Sequence, residues 1–326
     1  MNQVLIIDKP AGMTSHDVID RVRRILGLRS VGHLGTLDPA ATGVLPLVVG
    51  NFTRLAQFYL GAEKQYEGII RLGAATDTYD AEGEPTGSEE ERQSGANLAL
   101  KIDEDRVREA TSRFLGSIEQ IPPPFSAKKI HGVPAYKLAR RQQDVQLAPV
   151  SVTVHELELH VLPEACVHFR ARVSSGTYIR SIAHDLGQAL GCGAHLETLR
   201  RIAHGEFTLA AAHTLEALAE DAPKDFAPYF LHPRKLLPQI PSVTANEDQI
   251  ALICHGRAVN LSEMSKSQYV KVFAGQAELI AIAARVAGTL FHPKIVLATE
   301  GQAKPSNTAA RPIKPVTSDN KYYVKN

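Results

Sequence analysis

The feature that most limits the fold is a repeated change of hydrophobic period along the chain. Val4-Leu5-Ile6-Ile7 is a continuous apolar run of strand length. The next apolar residues, Val18, Ile19, Val22, Ile25 and Leu26, return at helical spacing. Thr14 or Ser15 can cap that helix, and Gly27 is a natural stop. Gly43 to Gly50 (GVLPLVVG) predicts another strand, with Thr53 as cap of a short helix after it. Tyr66, Gly68, Ile70 and Leu72 alternate with polar partners, as does the set Val167, Phe169, Ala171 and Val173, so both read as half-buried strands. Helical spacing recurs at Val107, Ala110, Thr111, Phe114 and Leu115, and again from Ile179 to Leu190. Ile121-Pro122-Pro123-Pro124-Phe125 cannot be helical, because each proline removes a donor and restrains its predecessor. No segment repeats another.

At 326 residues the chain is long enough for two or three domains. Residues 82–100 (EGEPTGSEEERQSGANLAL) read as an exposed, mobile, acidic insertion. A boundary is expected near residues 236–241. Beyond it, Tyr269 to Ala274, Glu278 to Val286 and Pro293 to Thr299 are strand-like and suggest a small all-β module. The expected division is 1–240, 241–300, and a basic, disordered tail at 301–326.

Charge excludes little. Thirty-six Lys and Arg stand against 35 Asp and Glu, but residues 74–110 hold eleven acids and four bases, so the rest of the chain is basic. Its clusters include Arg21, Arg23, Arg24 and Arg29, then Lys128, Lys129, Lys137, Arg140 and Arg141, then Arg170, Arg172 and Arg180, and finally Arg200 and Arg201. They are either solvated faces or, if they converge, a surface for a phosphate backbone. Cys166, Cys192 and Cys254 lie far apart, as in a protein of a reducing compartment. The longest apolar run, Leu279 to Phe291, is broken by Arg285 and is too short to span a membrane. The start of the chain lacks a signal-peptide pattern, so a cytoplasmic protein is expected. Gly-Lys-Ser, Gly-Lys-Thr, Gly-x-Gly-x-x-Gly and Gly-x-Ser-x-Gly are missing, and Cys192 with His195 has no second zinc pair.

Four stretches can carry chemistry. Gly32 to Gly43 (GHLGTLDPAATG) presents one carboxylate, Asp38, between two apolar elements. It is either a catalytic loop on a rigid scaffold or simply an Asp-Pro turn. Ser174 to Ile182 leaves a basic-faced strand and enters a helix, which puts Tyr178 and Arg180 near its start. An arginine there can pair with a distant carboxylate and keep it ionised, or can be an ordinary surface residue. Tyr66 shares a strand face with bare Gly68, where a flat ligand could lie, or else packs in the core. Pro122 to Gly132 is a stiff turn followed by bases, an RNA contact or a surface connection.

Together and in order, these stretches resemble the TruB family of pseudouridine synthases. The match runs through Asp8-Lys9-Pro10-Ala11-Gly12-Met13-Thr14-Ser15, Gly32 to Leu45, and Lys64-Gln65-Tyr66. It continues through Ser126-Ala127-Lys128-Lys129, Ala135-Tyr136, Gly176-Thr177-Tyr178-Ile179-Arg180 and Asp185-Leu186-Gly187. It covers about residues 3–206, and residues 245–300 are similar to a PUA-type RNA-binding domain.

The resemblance implies an α+β fold with a central mixed, mainly antiparallel sheet flanked by helices. It implies an isomerase that converts the T-loop uridine (position 55) of tRNA to pseudouridine by base flipping, with no cofactor and no metal. It makes Asp38 the nucleophile, Arg180 its ion-pair partner and Tyr66 the ring stacked on the flipped uracil. Tyr178 and Leu199 would line the pocket, His33 would fill the gap left by the base, and Lys9 would belong to the substrate site. Lys128, Lys129, Arg140 and Arg141 are candidates for the RNA backbone. The implied partner is the tRNA T-arm, with no membrane and no obligate protein partner, so a monomer is expected. Asn51, Arg54, Ser175 and Gln142 depart from the family pattern, which touches only local RNA contacts. Two other readings are a tRNA-binding or tRNA-folding protein in which catalysis is secondary, and a nucleoside glycosidase using the same carboxylate.

Overall fold

The structure, a computed structural model, describes residues 1–126, 128–130, 133–135, 138, 147–221 and 226–298. The expected tail at 301–326 lies outside the described residues. Strand β1 is Gln3–Lys9, followed by helix α1 at Ser15–Leu26. Thr14 caps α1 through a reciprocal pair with Asp17, and Gly27 ends it in the left-handed region at φ 65°. Strands β2 (Val31–His33) and β3 (Thr42–Val49) flank the loop that carries Asp38. Thr53 does not cap the short helical segment Gly50–Phe58. It sits inside the first turn and donates to the Gly50 carbonyl at 2.9 Å.

Strand β4 (Lys64–Leu72) buries alternate residues from Tyr66 onward. The expected mobile insertion contains helix α2, Glu89–Ala99. A Ser88–Glu91 capping box starts it, and Gly95 lets it close on the Gly191–Gly193 turn, where a Cβ would stand 2.5 Å from the Cys192 carbonyl. Helix α3 (Glu104–Thr111) and strand β5 (Gly116–Gln120) follow. The short hairpin β6 (Lys129–Ile130) and β7 (Val133–Pro134) leads to β8 (Val150–Leu162), β9 (Cys166–Val173), α4 (Ile179–Leu190), β10 (Ala194–His204) and β11 (Phe207–Thr208).

Among the described residues, nine strands form one sheet in the order β1-β3-β10-β4-β9-β8-β5, with β2 on β3 and β11 on β10. Every pairing is antiparallel except β3 with β10. That single parallel contact places the loop before β3 beside Leu199–Arg201 of β10. Apolar faces of the sheet and of α1, α3 and α4 form one core, with Leu5, Ile7, Leu45, Leu47, Val167, Phe169 and Leu186 deep inside.

After helix α5 (Leu215–Asp221), a second sheet of β12 (Ser242–Ala245), β13 (Val259–Asn260), β14 (Tyr269–Ala274), β15 (Glu278–Ala287) and β16 (Leu290–Val296) forms in the order β12-β14-β15-β16-β13. It is not all-β, because helix α6 (Glu247–Cys254), capped by Asn246, packs against it. The second sheet shares a core with the first through Val4, Ile6, Phe52, Phe273, Ile282 and Leu297. Asn51 and Arg54 also hold it, donating to the carbonyls of Leu297 (3.1 Å) and Val296 (2.6 Å), so these departures from the family pattern serve docking between sheets. No helix among the described residues is long and apolar enough to cross a membrane.

Candidate active site

Asp38 is placed by a loop whose carbonyls are held from beneath by buried cations. Lys9 Nζ donates to Pro10, Pro39 and Ala41 at 2.8, 3.0 and 2.7 Å. Arg201, only 1% exposed, donates to Gly35, Thr36 and Val44 at 3.0, 3.3 and 2.7 Å. Ser15 Oγ bridges the amide and carbonyl of Leu37. The Ala41 amide donates to the Asp38 carbonyl at 3.1 Å with Pro39 second in the turn, so the Asp-Pro turn is real and aims the side chain. Gly43 lets β3 meet β10. It sits at φ 101°, and a Cβ there would lie 2.2 Å from the Arg201 carbonyl.

Arg180, in the first turn of α4, is buried with 8% of its side chain exposed, while Asp38 is 42% exposed. Its Nε stands 3.1 Å from Asp38 Oδ2, and its Nη1 stands 3.3 Å from Asp80 Oδ2. The carbonyls of Thr78 (3.2 Å) and Phe125 (3.1 Å) accept its other bonds. The guanidinium is therefore fixed on every side and presents Asp38 to the solvent-facing edge. Asp80 is itself held by the Thr78 hydroxyl at 2.6 Å and the Glu82 amide at 3.1 Å. Its neighbour Tyr79, with a positive φ of 64°, stacks on His184 of α4 at 3.9 Å. Burial pushes the His184 ring below the ordinary imidazole range, which favours the neutral form.

A cavity of about 390 Å³ opens between these elements, within the usual range for a small-ligand site. Its wall includes Asp38, Tyr66, Tyr178, Arg180, Leu199 and Lys64, so five residues expected from the sequence are brought together. Tyr66 lies on β4 opposite Arg201 of β10 and Ala171 of β9. The Tyr178 backbone is pinned by both ends of the Gln120 amide, at 2.8 and 3.0 Å. Burial raises the Tyr178 phenol above its ordinary value. Leu60, 72% exposed, forms an apolar lip.

Other expected site residues are placed elsewhere. His33 lies on edge strand β2, edge-on to His16 at 5.8 Å, and does not line the cavity. Burial lowers its basicity, followed by the charges of His16 and Arg201. The Lys9 ammonium is fully buried and engaged by its three carbonyls, so it supports the Asp38 loop from below. Lys128 is exposed and lies outside the cavity wall, Lys129 contributes backbone to β6, and Arg140 and Arg141 lie outside the described residues. Among the described residues, several members of the basic clusters are ion-paired within the fold. Arg172 pairs with Glu63 and Glu156, Arg200 with Asp8, and Arg23 with Asp20.

Sequence reasoning missed Asp80, Lys64 and the structural use of Arg201. Asp80 was one acid among eleven in an acidic stretch, and Arg201 one base in a basic pair. Among the described residues no group of His, Cys, Asp and Glu could hold a metal ion.

Comparison with known proteins bears on the family and the fold. The TruB family pseudouridylate synthase (N terminal domain) matches residues 23–179, and the tRNA pseudouridylate synthase B C-terminal domain matches residues 180–226. The tRNA pseudouridine synthase B of Solibacter usitatus is 49% identical over 301 residues, covering 91% of this chain and all of the relative. That of Aquifex aeolicus is 39% identical over 276 residues, covering 84% and 92%. Among solved structures, a chain of a Cbf5-Nop10-Gar1 complex superposes with a TM-score of 0.66 at 26% identity, covering 91% of this chain and 85% of its own length.

Proposed function

Because the chain belongs to the TruB family of pseudouridine synthases, we propose that it isomerises the T-loop uridine at position 55 of tRNA to pseudouridine, with Asp38 as nucleophile. The observation that carries the assignment of roles is the ion pair of Asp38 with Arg180 in the wall of a cavity shared with Tyr66.

The reaction breaks the N1–C1′ bond of uridine and forms a C5–C1′ bond, while the C5 proton leaves and N1 gains one. Substrate and product are isomers, so no electrons or groups are exchanged with a second reactant. A carboxylate at the cavity mouth can stabilise positive charge developing at C1′, or form a covalent adduct with the sugar or the base. Arg180 fixes that carboxylate in one orientation. The base must leave its stack to be reached, at a cost of a few kcal/mol. Stacking on Tyr66 returns roughly 1–3 kcal/mol of it. Tyr178 and Leu199 bound the space in which the detached base turns.

In this reading the chain acts on the T-arm as a monomer in the cytoplasm. The first sheet with its helices, residues 1–240, is the catalytic unit, and the sheet of residues 241–300 is a PUA-like RNA contact.

The test is Asp38→Asn, which keeps the shape of the side chain and removes its charge. Uridine isomerisation in a T-arm stem-loop should fall at least ~10³-fold, the scale of losing a nucleophile, while binding is kept. Retained turnover overturns the assignment. Release of free uracil would point instead to hydrolysis.

A further inference from the structure

We propose that Lys64, backed by the charge of Arg201, binds a backbone phosphodiester of the substrate RNA next to the nucleotide held in the cavity. This rests on the RNA-modifying reading above and adds to it a phosphate subsite on a second part of the same wall.

The argument starts from an imbalance of charge. At the Asp38 side of the cavity, one guanidinium meets two carboxylates. At the Lys64 side, two cations meet none. Lys64 and Arg201 both line the cavity, and neither has a carboxylate partner among the described residues. Lys64 Nζ donates to the Ala62 carbonyl at 2.6 Å and to Ser175 Oγ at 3.1 Å. Its third N–H has no acceptor among the described residues. Arg201 spends three N–H groups on loop carbonyls and is almost wholly buried, so it contributes a fixed positive field and makes no contact of its own with a ligand.

Two like charges in a partly desolvated wall are unfavourable until an anion joins them. Burial first, then the Arg201 charge, push the Lys64 ammonium down to about 8, and no acid offsets them. A neutral ligand gains nothing from that arrangement. A phosphodiester gains an ammonium and the Ser175 hydroxyl as donors.

Spacing supports the same ligand. Lys64 and Tyr66 are two residues apart on β4 and point to one face, so their side chains leave the strand about 7 Å apart. Tyr66 can then stack on a base while Lys64 holds a phosphate of the same or the adjoining nucleotide. The exposed Leu60 beside them offers apolar surface to the intervening ribose. Arg172 on the neighbouring strand β9 is less suited, since it is already held by Glu63 and Glu156.

The experiment couples a protein charge to a single RNA charge. T-arm stem-loops are made with one neutral methylphosphonate at each loop phosphate in turn, and KM and kcat are measured for the native chain, Lys64→Gln and Lys64→Arg. One methylphosphonate should raise KM about tenfold with the native chain, the worth of a charge-assisted hydrogen bond. The same RNA should cost Lys64→Gln nothing beyond its own tenfold loss, and Lys64→Arg should behave like the native chain. The salt slope of binding should fall by about one in Lys64→Gln.

Additive losses at every phosphate overturn the proposal, as does a loss confined to kcat. Competition by inorganic phosphate without coupling to any RNA phosphate would assign the pair to a free anion and also overturn it. Turnover of the unmodified stem-loop by the native chain is the control for the reading itself. Its absence would sink the tRNA function whatever the couplings show.

Discussion

Arg180 and Arg201 are buried in the wall of one cavity, yet their surroundings are opposite. Arg180 lies between Asp38 and Asp80, so its charge is more than matched. Arg201 is held by three carbonyls and faces no carboxylate among the described residues. The first arrangement orients a carboxylate at the cavity wall through charge. The second shapes a backbone loop through hydrogen-bond geometry and leaves its charge available to a ligand. The same residue type thus fixes a side chain on one side and a backbone loop on the other.

The sharpest way to break this contrast is Arg180→Met. It leaves Asp38 and Asp80 without their common cation, and breaking a buried pair costs about 3–5 kcal/mol. We expect turnover on a T-arm stem-loop to fall at least ~10³-fold, with urea unfolding showing the stability loss. Adding Asp80→Asn should recover much of that stability, because one uncompensated carboxylate is removed. It should recover no turnover, because Asp38 stays unanchored.

Arg201→Met probes the other half. Each carbonyl left without a donor costs about 1–3 kcal/mol, so a loss near 4 kcal/mol is expected for the three. Turnover should fall about 10²-fold through displacement of the Asp38 loop, the scale of a small misplacement. Arg201→Lys should not rescue it, since a single ammonium cannot reach Gly35, Thr36 and Val44 together. A neutral partner such as Asp80→Asn should change nothing in this background.

Much of this site was legible before any coordinates. Three separated motifs point to Asp38, Tyr66 and Arg180, and the strands and helices that carry them follow from hydrophobic period. The parts that escaped share one cause. Whether a charge is spent inside the fold is a property of what meets it in space, and residue type does not encode that. Lys9 looked like a substrate contact because it sits in a motif, but β1 carries its ammonium beneath the loop. Arg201 reads from the sequence as either a solvated base or a phosphate contact, and is mostly a loop clamp. Asp80 was hidden in an acidic run whose remaining acids are largely exposed. The segment 82–100 looked mobile by composition, while its Ser88–Glu91 box and Gly95 were local signals for a docked helix.

His204 sharpens the comparison through pH. Its ring is fully buried beneath Gly35, and burial, then the charges of Arg201 and Lys64, push it down to about 3. A histidine whose native value lies below its unfolded value near 6.5 stabilises the fold above that pH. The contribution is lost as acid protonates the unfolded chain first. Between pH 6.5 and 4.5 this single residue should cost the native chain about 2 kcal/mol. His204→Leu should flatten that part of the stability curve, measured by urea midpoints at several pH values. If it does not, the ring is not kept neutral by its burial and by the charges of Arg201 and Lys64 as their placement requires.

The smallest effect is expected at Asp185, which is the mirror image of Arg201: a half-buried carboxylate with no ion-pair partner among the described residues. It lies on α4, five positions beyond Arg180, and burial alone raises it to about 6. Here the native value lies above the ordinary 3.8, so the sign reverses. The neutral acid suits the fold, its stabilisation is complete below about pH 4, and it is lost as pH rises through 6. At pH 7.5 the ionised group is a cost, about 1–2 kcal/mol after allowing for its partial exposure. Asp185→Asn should therefore stabilise the chain at pH 7.5 and leave it unchanged at pH 4, as read from thermal midpoints. A stabilisation seen without RNA but abolished with a bound stem-loop would mean that the ionised form serves the complex. A destabilisation at pH 7.5 would mean that a cation reaches Asp185, and the mirror-image reading of the two residues would fall.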